Sequence, residues 1–231
     1  MLWFTLRYGI YPCKTIDGIT IPVYLKYGYS VLRFINNGEY EKSEISIIKN
    51  TLTNKDKVLE LGTGIGFVSA YCAKSIGSEN IFTYDGNPSL APFIKQLYLA
   101  NDVSPTATPA ILGSTNGTRT FYKNNRSFLT SSADDDSSEN SVAISVEEQN
   151  LNEVIDRLQP TYLIMDIEGG EYNVFKMIDF QSIQKIQFEL HPAILDKGQV
   201  DFIFKKLEKE KFIMNASFQF SNNFFFQREN K

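Results

Sequence analysis

The chain has 231 residues, enough for one sizeable hydrophobic core without a division into separate units. With 23 basic and 27 acidic residues the net charge is −4 and the isoelectric point is near 5.2, so the composition carries no electrostatic footprint for nucleic acid or an anionic membrane. Two cysteines, Cys13 and Cys72, lie far outside metal-ligand spacing, and Cys72 reads as a buried reduced thiol.

The first residues are apolar but are interrupted at Arg7, too soon for a signal segment or a membrane span, so a cytoplasmic protein is expected. Residues 12–25 predict a hairpin turning at Asp17-Gly18, and 43–52 a helix with Ser43 as its cap. This part, 1–52, is expected to pack on a main unit of 53–231, the two forming one body. Alternating patterns then predict strands at 57–61, 80–85, near 108–112, 142–146, 162–166 and 185–190. Helices are expected at 66–77, 89–100, 148–158 and 171–178, and a closing hairpin at 211–218 and 223–228 turns at Ser221-Asn222. Strands alternating with helices make an α/β fold with a mostly parallel sheet and an antiparallel C-terminal strand. Residues 127–141 are acidic and serine-rich and read as a loop, either a solvated surface or a lid over an acceptor.

The chemistry-bearing segment is Val58-Leu59-Glu60-Leu61-Gly62-Thr63-Gly64-Ile65-Gly66, a buried strand running into a glycine turn and then a helix. In an open parallel sheet that edge binds nucleotides. The acid closing the next strand, Asp85, is placed to accept hydrogen bonds from both ribose hydroxyls of an adenosine. A pyrophosphate fingerprint needs Gly-x-Gly-x-x-Gly, and Phe67 stands where its third glycine belongs. Glu60 would repel a phosphate and suits a cation. S-adenosylmethionine, which carries a sulfonium and an ammonium and no phosphate, therefore fits Glu60, Gly62, Gly64, Gly66 and Asp85. A nicotinamide-dependent oxidoreductase and a non-catalytic adenosine-binding module are the alternatives.

A second segment, Met165-Asp166-Ile167-Glu168-Gly169-Gly170-Glu171, brings three carboxylates to the same edge. They could position substrate, move a proton or, for Glu171, favour the start of a helix. The chain's one histidine follows in Phe188-Glu189-Leu190-His191-Pro192, and a neutral imidazole there could take a hydroxyl proton. A metal held by Asp166, Glu168 and His191 is left open, and none is assigned.

Tyr40-Glu41, the glycine segment, Asp85-Gly86-Asn87-Pro88, Asp166-Ile167-Glu168-Gly169-Gly170-Glu171 and Glu189-Leu190-His191-Pro192 together resemble the FkbM-type methyltransferases over residues 38–192. The chain departs from that pattern at Met165, often lysine, and at Asp85-Gly86, often Glu-Pro. The resemblance implies a class I, Rossmann-like α/β fold with a seven-stranded sheet and helices on both faces. It implies S-adenosylmethionine as cofactor, S-adenosylhomocysteine as product, and O-methylation of a sugar, glycan or polyketide-like acceptor, with neither nucleic acid nor membrane as partner. It adds Glu41, Thr63, Gly86, Asn87 and Asp166 to the cofactor site, assigns catalysis to His191, Glu168 and Asp166, and sets Glu171 and Glu189 against substrate.

Overall fold

A computed structural model describes residues 3–6, 9–124, 131–132 and 141–229. Apart from the backbone of 131–132 and 141, the acidic segment 127–141 lies outside them. Strands β1 (Trp3–Leu6), β2 (Gly9–Ile16) and β3 (Ile19–Pro22) form a small antiparallel sheet, and its second turn is Asp17-Gly18, both with positive φ. Helices α1 (Gly28–Asn37) and α2 (Lys42–Thr51) follow. The expected Ser43 cap is not used. Helix α2 begins one residue earlier, after Glu41, whose left-handed backbone (φ 51°) turns the chain into the helix.

The main unit then runs β4 (Val58–Leu61), α3 (Phe67–Ile76), β5 (Ile81–Tyr84), α4 (Ala91–Ala100) and β6 (Thr106–Thr108). Next come β7 (Ala110–Gly113), β8 (Gly117–Asn124), β9 (Ser131–Ser132), β10 (Ser141–Asn150) and α5 (Leu151–Leu158). It closes with β11 (Tyr162–Met165), α6 (Glu171–Met177), β12 (Lys185–Glu189), α7 (Lys197–Lys209), β13 (Phe212–Met214) and β14 (Asn223–Arg228). The seven-stranded sheet has the order β13-β14-β12-β11-β4-β5-β6. Only β14 opposes its neighbours, and it inserts between β12 and β13 rather than lying at the edge.

Side chains alternate across this sheet with the period of two that a strand imposes. Val58, Tyr162, Ile164 and Phe225 join the core under α2, α3 and α4, whereas Leu59, Leu163, Met165 and Phe226 join the core under α5, α6 and α7. The sequence reading differs at the third strand. Pro109, which has no N–H to give a ladder, splits the expected 108–112 strand. Residues 106–108 complete the main sheet, and 110–113 leave it for a four-stranded sheet ordered β7-β10-β8-β9. The helix expected from 148 starts at 151, because Asn150 ends β10 and caps α5 by accepting from the N–H groups of Asn152 and Glu153. The strand expected at 211–218 shortens to β13, followed by a 3-10 turn at Ala216–Phe218.

At the N-terminal edge of the sheet a buried ion pair ties the strands together. Lys185 Nζ lies 2.7 Å from Asp56 Oδ2 and 2.7 Å from the Thr51 carbonyl. Asp56 also accepts from Thr53 and from the Thr161 hydroxyl. Removing one partner of a buried pair leaves the other charged and desolvated. Lys185→Ala should therefore cost about 3–5 kcal/mol in urea unfolding, with ligand binding at the far edge of the sheet unchanged in protein that remains folded.

Candidate active site

The parallel strands deliver their C-terminal ends to one edge. Glu60 shares the α3 side of the sheet with Val58 and is in register with Thr83 on β5. The Thr83 hydroxyl donates to Glu60 Oε2, and the N–H and hydroxyl of Ser69 on α3 donate as well. Glu60 is 2% exposed, and burial pushes its carboxyl up to about 8 despite those donors. It reaches the cavity wall with its carboxylate already engaged, so it braces the glycine turn rather than meeting a ligand with a free charge.

The turn itself depends on close approach. Gly62 has φ 90°, its N–H donates to the Tyr84 carbonyl at 2.9 Å, and a Cβ there would sit 1.7 Å from the Asp166 carbonyl oxygen. Gly64 (φ 53°) donates its N–H to Asp85 Oδ2 at 3.0 Å, while Asn87 N–H donates to Asp85 Oδ1 at 2.7 Å. Burial nevertheless pushes the Asp85 carboxyl up to about 6, against the pull of the N–H groups of Asn87, Gly64 and Thr63. Gly66 works differently from the expectation of ligand contact. The Tyr98 ring would be 2.9 Å from a Cβ there, so Gly66 lets α4 pack on the first turn of α3.

A cavity of about 440 Å³ opens between this edge and the four-stranded sheet. Gly62, Thr63, Gly64, Asp85, Gly86, Asp166 and Glu168 line it, joined by Tyr40 and Glu41 from before α2 and by Ile111, Arg119 and Phe121 from β7 and β8. Ile111 and Phe121 press on Gly86, each 2.6 Å from where its Cβ would be. Asn87 lies outside this cavity. It is 2% exposed, accepts from Ser89 N–H, and walls a smaller cavity of about 350 Å³ beside α4, which Thr63 and Asp85 share.

The carboxylates crowd. Burial first, then Glu44, Asp166, Glu189 and Glu60, raise Glu41 well above the ordinary carboxylate range, and the Tyr40 hydroxyl donates to it. Burial and then Glu189 raise Asp166 in the same way, with His191 opposing. His191 Nδ1 is 2.7 Å from Glu171 Oε1, and its Nε2 lies 3.4 Å from Glu168 Oε2 and 3.5 Å from Asp166 Oδ1. Burial lowers the imidazole, but the Glu171 bond and charge, with Asp166 and Glu168, outweigh it and hold His191 at about 9. A raised imidazole disfavours the neutral-base role that the sequence suggested for His191. Glu171 is 0% exposed and also accepts from Gly169 N–H at 3.1 Å, so it stands behind the site and cannot touch substrate as expected. Glu189 is half-buried beside Asp166 and His191 and is not on the cavity wall.

The strand order and the glycine turn define a Rossmann-like fold of the class I methyltransferase type. The methyltransferase FkbM domain profile matches residues 50–216, and the chain belongs to that family. No curated protein sequence matches significantly. Among solved structures, M. jannaschii tRNA m1G37 methyltransferase is 13% identical over 96% of this chain and 57% of its own, with a TM-score of 0.50. Pyrococcus abyssi tRNA (uracil-54, C5)-methyltransferase in complex with S-adenosyl-L-homocysteine is 9% identical over 94% and 42%, with a TM-score of 0.51. Both likenesses concern the fold.

The sequence reading missed Ile111, Arg119 and Phe121, because it placed no second sheet between β6 and α5. It named Tyr40 only as part of a motif. The close approach at Gly62 separates two substitutions. Gly62→Ala should destabilise by about 3 kcal/mol or more, since the Asp166 backbone must move. Gly64→Ala meets nothing closer than the Tyr40 hydroxyl at 3.7 Å and should cost only about 1–2 kcal/mol of left-handed strain. Urea denaturation of both variants measures the difference.

Proposed function

We propose that this protein transfers the methyl group of S-adenosylmethionine to a hydroxyl oxygen of a sugar, glycan or polyketide-like small molecule. The observation that carries the reading is a single cavity joining the glycine turn and Asp85 to the open carboxylate Glu168. Its volume suits a small-molecule site, for which roughly 300–1,000 Å³ is usual. Asp85 supplies acceptors for the ribose hydroxyls. Gly86, Ile111 and Phe121 offer an apolar slot for the adenine, and Glu41 and Asp166 set negative charge where the methionine ammonium would lie. In this reading residues 1–52 contribute Tyr40 and Glu41 to a site carried otherwise by 53–231.

The reaction is an in-line displacement. A lone pair on the acceptor oxygen forms a bond to the methyl carbon while the carbon–sulfur pair returns to sulfur, leaving S-adenosylhomocysteine. Alignment of the three atoms supplies most of the acceleration. The hydroxyl proton goes to a carboxylate. Glu168 lines the cavity, whereas His191 is tied to Glu171 through Nδ1 and does not. Glu168 therefore takes the role that the sequence gave to His191.

Two outcomes test this reading. With radiolabelled S-adenosylmethionine and a panel of glycan and polyketide acceptors, label should appear as a methyl ether. Glu168→Gln should lower kcat by about 100- to 10,000-fold with little change in KM for the cofactor. Label on carbon or nitrogen only, or an undiminished kcat, would overturn it. The second outcome concerns pH. The ionised form of Asp85 accepts the ribose hydroxyls, so cofactor affinity should hold above pH 6 and fall about tenfold per unit below it. Asp85→Ala should weaken binding by about 1–3 kcal/mol and remove that dependence, as read by equilibrium dialysis across pH 5–8.

A further inference from the structure

Asp166 follows β11 directly, while Glu189 ends β12 and His191 comes two residues later, so adjacent parallel strands bring two carboxylates and an imidazole together. One ligand atom from each lies within 4.8 Å of the others. We propose that Asp166, Glu189 and His191 bind a divalent first-row metal ion, at a position beside the cofactor cavity because Asp166 belongs to both.

Three features favour a metal over a plain ion-pair cluster. First, the two imidazole nitrogens behave differently. Nδ1 makes a 2.7 Å hydrogen bond to Glu171, whereas Nε2 stays 3.5 Å from Asp166 Oδ1 and 3.4 Å from Glu168 Oε2, beyond good hydrogen-bond length. Ligand bonds of about 2.0–2.2 Å put neighbouring donors roughly 3.0–3.5 Å apart; the His191–Asp166 separation of 3.5 Å is of that size, and the three donor atoms together lie within 4.8 Å of one another. Second, Asp166 Oδ1 is buried and has no hydrogen-bond partner, so it faces the imidazole with an unused lone pair. Third, Glu171 is fully buried and engages Nδ1, the arrangement that fixes a metal-ligating histidine with its other nitrogen presented to the ion. The Gly169 N–H bond to the same Glu171 oxygen holds that carboxylate in place.

The donor set of two carboxylate oxygens and one imidazole nitrogen suits Mn²⁺, Fe²⁺, Co²⁺ or Zn²⁺ better than the all-oxygen shell of Ca²⁺ or Mg²⁺. Such an ion would replace repulsion among the carboxylates with attraction to a common centre.

The test uses tag-free protein, so that His191 is the one imidazole present. Chelator-treated, folded protein is titrated with MnCl2 and free Mn²⁺ is followed by electron spin resonance. One Mn²⁺ per chain should bind, with electron spin echo modulation from a directly bound imidazole nitrogen. Glu189→Gln should weaken binding at least tenfold, and Glu171→Gln roughly 10- to 100-fold through loss of the histidine's support. No binding by the wild type, or binding without nitrogen modulation, overturns the site even if every variant misfolds. Unchanged affinity in folded Glu189→Gln overturns it too. Because Mn²⁺ binding is read without cofactor or acceptor, failure here is distinguishable from failure of the methyl-transfer reading.

Discussion

The main-chain contact between Gly62 and Asp166 is the constraint on which the site depends. Strands β4 and β11 are hydrogen-bonded neighbours, and Asp166 N–H still donates to the Leu61 carbonyl at 2.9 Å after both strands have ended. The two chains separate only beyond that point, and only a residue without a Cβ fits where they touch. Because they touch, the turn after β4, the acid after β5 and the acids after β11 face one another across a single cavity. The same closeness concentrates negative charge. Glu41, Glu60, Asp85 and Asp166 all have carboxyls displaced upward by burial, three of them with help from their neighbours. Such a site is frustrated when empty and gains from any cation that enters it.

Much of this was legible in the sequence because it depends on local rules. The Val58-Leu59-Glu60-Leu61 run, the glycines after it and the acid closing the next strand are read from side-chain period and turn chemistry, and the structure sets them side by side as that pattern demands. Asp166-Ile167-Glu168-Gly169-Gly170-Glu171 was legible as a strand end for the same reason. Its internal division of labour was not. Glu171 and Glu168 have the same side chain three residues apart, yet Glu171 is 0% exposed behind His191 and Glu168 lines the cavity. That distinction comes from the left-handed backbone of Glu168 and Gly169 (φ 52° and 97°), a conformation that an acid's identity does not announce.

The second sheet was legible only in part. The alternation of Val142, Ile144 and Val146 marked a strand at 142–146, inside β10, but β8 (Gly117–Asn124) is polar apart from Phe121 and Tyr122 and carries no such signal. Their pairing is long-range and is specified largely by the few side chains that turn inward, among them Phe121 and Val146. Helix α7 was missed although it carries a capping box, Asp196 with Gln199, which is a readable start signal. Helix α1 lacks a side-chain cap and begins on a glycine, so little in its sequence marked its start. The elements that escaped the sequence surround the common cofactor architecture, and the second sheet supplies Ile111, Arg119 and Phe121 to the cavity wall. Fold alone does not name the acceptor.

The central claim is that this carboxylate-lined edge is built for a cationic adenosine cofactor. Isothermal titration near pH 7 with S-adenosylmethionine, S-adenosylhomocysteine and NAD, each in two buffers of different ionisation enthalpy, tests it most directly. Entry of the sulfonium and ammonium should lower the raised carboxyls, so S-adenosylmethionine should bind with measurable proton release, S-adenosylhomocysteine with less, and NAD should give no binding heat. Binding of NAD in preference to S-adenosylmethionine, or binding of S-adenosylmethionine with the same heat in both buffers, would contradict the account.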